Sequence, residues 1–156
     1  MRKLVLFFVS ALVVLTLVSQ RGAAIGDTYV TAAADGVSAG PSSLSGLDIK
    51  GSSSTFGVII YGDSTAEGDF ETVLSGVSLV GTTQYITVEG KVNAGTTNVD
   101  ASVTFSGTAT VDMGDGTVPL IGVPFSVTAT TQGLQLVIGL TTLAPQTLTG
   151  GTITIQ

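Results

Sequence analysis

Asp63, Glu67, Asp69 and Glu71 fall within nine residues of one another. Carboxylates at that density can converge on a hard cation, and all-oxygen ligation is what calcium takes. Counting Asp63 as the first position of a calcium-binding loop puts Glu67 at five, Gly68 at six and Asp69 at seven. A glycine at six suits the sharp turn of such a loop. Thr65 stands at three, however, and Leu74 occupies the twelfth position, where a bidentate Glu is required. The helices that flank such a loop are also missing from the pattern. Asp63, Glu67, Asp69 and Glu71 therefore read either as a non-helical calcium site or as a solvated acidic loop.

Little else in the chain can do chemistry. It contains no His, Cys or Trp, and beyond residue 24 its basic side chains are Lys50 and Lys91 alone. A Ser nucleophile has no imidazole to activate it. A Ser–Lys arrangement would have to use one of the two lysines, and the run Lys50-Gly51-Ser52-Ser53-Ser54 has no helical setting to support it. Zinc, haem and iron–sulfur sites lack their customary ligands. Paired carboxylates can serve a glycosidase, but nothing here fixes their separation and no Trp offers a sugar-stacking platform. Thr-x-Thr recurs at 108–110, 128–130 and 152–154. These pairs lack the fixed period of an ordered threonine array, and Thr is the ordinary solvent-facing strand residue. Asp112 and Asp115 flank a turn, where Asp shapes the backbone.

The elements that must position these residues are strands. From Thr55 onward, apolar and polar residues alternate with period two, and no amphipathic helix pattern appears. Val99, Ala101, Val103, Phe105, Gly107, Ala109, Val111 and Met113 make one continuous face, with polar side chains between them. Facing residues of an antiparallel pair share a face, so parity constrains register. A loop over 93–98 sets Val92 opposite Val99, Val88 opposite Val103 and Ile86 opposite Phe105. The turn at Met113-Gly114-Asp115-Gly116 sets Val111 against Val118 and Ala109 against Leu120. Parity then slips, and an extra residue at Ile121-Gly122 repairs it in the manner of a β-bulge. Phe105 then meets Phe125, and Val103 meets Val127. A two-residue turn at Gln132-Gly133 pairs Ala129 with Leu136, Val127 with Ile138 and Phe125 with Leu140. Upstream, Phe56, Val58 and Ile60 pair with Phe70, Thr72 and Leu74 across a loop over 62–68, and Val77 and Leu79 continue that face after another parity slip near Ser75-Gly76.

The resulting expectation is an all-β fold, an antiparallel up-and-down meander of about eight strands over residues 55–156. It forms a two-sheet sandwich, with a closed barrel as the alternative. A transmembrane barrel would carry aromatic girdles, whereas Phe56, Phe70, Phe105 and Phe125 all fall on the core face here.

Residues 1–24 read as a signal peptide. Arg2 and Lys3 precede the apolar run Leu4 to Val18, and Gly22-Ala23-Ala24 supplies the small residues of a cleavage site. The run falls short of the ~20 residues a spanning helix needs. Cleavage after Ala24 leaves two lysines against eleven acids, a net charge of −9. Nucleic acid and anionic membranes are poor partners for such a chain. Residues 25–54 form an Ala-, Gly- and Ser-rich segment in which 32–45 reads as a linker. Taken together, these features suggest a non-catalytic module, secreted, periplasmic or on the cell surface, for structure, adhesion or assembly. Self-association or an extracellular polymer would be its partner, with no membrane span after cleavage and no cofactor apart from the candidate calcium. An exported carrier with an apolar ligand inside a barrel is the alternative, and an acid-based hydrolase the second.

Overall fold

The structure is a computed structural model that describes residues 26–156, so the leader expected over 1–24 lies outside the described residues. All of the regular structure described is β. The strands are β1 (Thr28–Ser38), β2 (Ser43–Leu44), β3 (Leu47–Ile60), β4 (Thr65–Val77), β5 (Thr83–Thr97), β6 (Val103–Asp112), β7 (Leu120–Thr130), β8 (Gly133–Ile138), β9 (Thr141–Thr142) and β10 (Gln146–Ile155). They form one antiparallel sheet in which β3 to β8 pair in sequence order. β10 follows β8, and β1 pairs with β10 along one edge and with β3 along the other.

Alternation decides which side chains go inward. In β1, Val30, Ala32 and Ala34 are buried while Thr31, Ala33 and Asp35 are exposed. The same rhythm in β3 to β8 buries Phe56, Val58, Phe70, Leu74, Ile86, Val88, Phe105, Phe125, Val127 and Leu136 on one face. Four phenyl rings meet at its centre. Phe56 lies 5.2 Å from Phe105 and 5.9 Å from Phe70 between centroids, and Phe70 stacks on Phe125 at 5.2 Å. Tilted and offset ring pairs of this kind add to the hydrophobic stabilisation of burial. One polar contact is enclosed with them, a 2.8 Å hydrogen bond between the hydroxyls of Ser54 and Thr72.

The segment expected to be a linker is mostly strand. Residues 32–45 supply most of β1 and all of β2, because Ala32, Ala34 and Gly36 at alternate positions are small enough for the strand to pack between β3 and β10. Each expected register also shifts. Val88 faces Val111, since β5 runs on through Thr97 with a bulge beside Val92 and turns only at 98–102. Phe125 faces Gly107, and Phe105 faces Val127. The bulge at Ile121-Gly122 is present, and Gly122 takes it at φ 73. The β7–β8 turn is Thr131-Gln132, so Ala129 faces Leu134. Thr130 Oγ1 helps to close it by accepting the Gln132 N–H at 3.1 Å. Phe56 faces Phe70 because the β3–β4 turn spans only 61–64.

Three hairpins share one turn. Tyr61, Ser78 and Asn98 each donate their N–H to the carbonyl four residues on, and each accepts from the N–H three residues on. The third loop residue takes positive φ in each: Ser64 at 67°, Gly81 at 82° and Ala101 at 61°. This is the three-residue hairpin loop, a type I turn closed by a left-handed residue. The loop residues are thus Gly62-Asp63-Ser64, Leu79-Val80-Gly81 and Val99-Asp100-Ala101.

Candidate functional site

The four acidic residues singled out in the sequence do not share a loop. Asp63 sits in the β3–β4 turn, while Glu67, Asp69 and Glu71 follow one another at every second position along β4. Asp63 Oδ1 accepts the N–H of Thr65 at 3.0 Å and its hydroxyl at 2.5 Å. The Tyr61 hydroxyl donates to Glu67, and Asp69 forms an ion pair with Lys91. Among the described residues, no group of three or more acidic side chains is gathered as a metal ion would require.

The Asp63 arrangement recurs. Asp100 accepts from the N–H and hydroxyl of Ser102 at 3.0 and 2.6 Å, and Asp115 from those of Thr117 at 2.9 and 2.6 Å. Each is an Asp-x-Ser/Thr triplet with its middle residue at positive φ. The hydroxyl and amide of Ser102 hold the Asp100 carboxyl below its ordinary value, and those of Thr117 do the same for Asp115. A local backbone role accounts for three of the acids.

Register creates a feature that the sequence reading missed. Thr55, Glu71, Glu89 and Thr110 lie in one row across β3, β4, β5 and β6, so two carboxylates stand directly opposite each other. Asp69 and Lys91 form the adjacent row. These side chains border an open groove of about 430 Å³. Glu89 falls between Val88 and Val92, in a stretch whose alternation reads as a strand. A correct β4–β5 register was the missing signal.

A second feature is apolar. In an antiparallel meander, alternate hairpins lie at the same end of the sheet. The β4–β5, β6–β7 and β8–β9 connections therefore share an end, and the β3–β4, β5–β6 and β7–β8 connections share the other. Six of the ten large apolar side chains exposed among the described residues lie at the first end: Leu79, Val80, Val118 and Leu140 in the connections, and Leu120 and Ile121 at the start of β7. Leu79 and Leu140 are fully exposed, at 101% and 104%, and Val80, Val118 and Ile121 exceed 80%. The opposite end presents Gly62, Asp63, Asp100 and Gln132 at its tips, with Val99 as the apolar exception.

Local bonds hold this apolar end together. Gln84 Nε2 donates to the Met113 carbonyl at 2.5 Å, tying the start of β5 to the β6–β7 connection. Gly139 N–H donates to the Pro124 carbonyl at 2.8 Å, tying β8 to β7. Val118, Leu120, Leu79 and Leu140 had been assigned to the core face in the sequence reading. Leu79, Val118 and Leu140 lie beyond the ends of their ladders, and Leu120 is the last pair of its own, opposite Val111 and past the bulge, where alternation no longer determines the environment.

Among known proteins, the chain matches no family model, and no curated protein or solved structure shows significant similarity to it.

Proposed function

We propose that the protein is an exported, non-catalytic β module that attaches to an extracellular surface through the apolar end of its sheet. The observation that carries this reading is the crowding of six exposed aliphatic side chains onto alternate hairpins. Type I hairpin loops favour polar residues, Pro and Gly. Leu79 and Val80 occupy loop positions at which the turn itself has no use for them. An exposed apolar cluster of this kind is the signature of an interaction site.

The finer architecture belongs to the same proposal. Pairing of β1 with both β10 and β3 supports a closed barrel in preference to two packed sheets. Its interior is then filled by Phe56, Phe70, Phe105 and Phe125, whose rings touch. Solid filling favours a structural module over a carrier, which needs room for its ligand.

Expression in an exporting host tests the reading. Intact mass should show a chain beginning at Ile25, retained on the cell surface. Leu79→Ser with Leu140→Ser should release it to the medium. Retention unchanged by that pair of substitutions would refute attachment through this end. A ligand of fixed stoichiometry surviving native mass spectrometry would establish the carrier instead.

A further inference from the structure

We infer that the apolar end seats in the interfacial zone of a zwitterionic, phosphocholine-bearing lipid surface. This inference rests on the surface-module reading and names what the surface is.

Shape is the first argument. Side chains more than 80% exposed stand out from three hairpins, Leu79 beside Val80 on one, Val118 and Ile121 on the next and Leu140 on the third, and do not lie flush against neighbours. A rigid protein partner would need a matching socket for each one, since protein interfaces pack at close to interior density. A fluid acyl boundary closes around a comb of any spacing. The arc formed by Leu79, Val80, Val118, Ile121 and Leu140 fits that medium.

The side chain just behind the tips agrees. Tyr85 lies on the outer face of β5, two residues from the start of that strand, and is 61% exposed. Tyrosine is enriched at headgroup depth, where its ring and hydroxyl meet different media. Farther along β5 the outer face is Thr87, Glu89 and Lys91, so entry stops at the interface.

Charge selects among partners. The β6–β7 connection carries Asp115, with Asp112 at the end of β6, none of the three connections carries a cation, and Lys50 near the start of β3 at this end is paired with Asp48. Anionic lipid would be repelled. A second copy docked end to end would face these carboxylates with their own duplicates. Phosphocholine instead presents a trimethylammonium group to them.

The absence of any native Trp makes the test direct. Leu140→Trp and Val99→Trp are prepared as exported proteins, one probe at each end of the sheet. Their emission is read with and without phosphatidylcholine vesicles. Leu140→Trp should shift to the blue while Val99→Trp stays at the fully exposed maximum. Phosphatidylserine added to the vesicles should weaken the shift. The pair Leu79→Ser and Leu140→Ser should lower vesicle cosedimentation about tenfold or more, at an unchanged urea midpoint.

Two results would overturn the proposal. In one, the two Trp probes respond alike or not at all to vesicles. In the other, Leu140→Trp shifts to the blue with protein concentration alone, which assigns the end to a second copy. In either case, cell-surface retention that depends on Leu79 and Leu140 would leave the broader reading standing without the lipid.

Discussion

A Cβ placed on Gly90 would lie 2.4 Å from Cε1 of Phe125. The ring from β7 passes over the backbone of β5 at a point where any side chain would collide with it. Phe125 in turn stacks on Phe70, so this one glycine sets the seat of the central ring cluster. Gly90→Ala should cost about 1–3 kcal/mol, the typical price of overpacking a filled core. Pairing it with Phe125→Leu should recover part of the loss in urea unfolding. An unchanged midpoint in Gly90→Ala would show that the ring is free to move aside.

Glu71 and Glu89 face each other across β4 and β5. Like charges directly opposite destabilise a strand pair, and opposite charges support it. Glu89→Lys should therefore raise stability by about 0.2–1 kcal/mol. The gain should shrink at high salt, where screening weakens both the repulsion and the new attraction. A loss of stability at low salt would mean that the pair is held by something other than its mutual field.

Asp100 and Asp115 predict an acid response. Hydrogen bonds from Ser102 and Thr117 lower both carboxyls in the folded state. A depressed folded value stabilises the fold above the unfolded value of about 3.9, and that stabilisation is lost as pH falls through the folded value. Replacing both aspartates with Ala should lower Tm at about pH 7 and narrow its drop between about pH 7 and pH 2. An equal drop in both proteins would place the acid sensitivity elsewhere.

Calcium should leave the melting curve unchanged. Asp63 is engaged with Thr65, Asp69 with Lys91 and Glu67 with Tyr61. Native-state binding would raise Tm through mass action. Scans in calcium and in chelator at matched ionic strength check this, and a higher Tm in calcium that is abolished by Asp69→Asn would restore the metal site.

Much of the fold is legible in the chain because alternation is a strong signal. It places Phe56, Phe70, Phe105 and Phe125 on one face, and it locates the bulge at Ile121-Gly122 from a slip in parity. It cannot choose among partners of equal parity. Val88 meets Val111 where Val103 was expected, and Phe105 meets Val127 where Phe125 was expected, both displaced by an even number of residues. Turn length decides between such registers, and it depends on Asp-x-Ser/Thr caps and left-handed Ser64 and Ala101 that the alternation does not encode. The opposed Glu71 and Glu89 follow from register, so they stayed hidden with it. The apolar tips were misread for a related reason: Leu79, Val99 and Leu140 continue the parity of a face that has already ended.

The main-chain groups of Tyr29 and Gln156 exchange two hydrogen bonds of 2.9 Å each, because β1 lies beside β10. β1 thus waits for β10. Until β10 is made, one flank of β1 and the part of β8 that β9 does not cover stay unsatisfied, each able to recruit a foreign strand. The ten residues of β10 close both gaps at once. A ribosome that stops before Gln146 therefore releases a chain with two adhesive borders, whereas one that passes Ile155 has made the strand that seals the β1–β10 and β8–β10 seams.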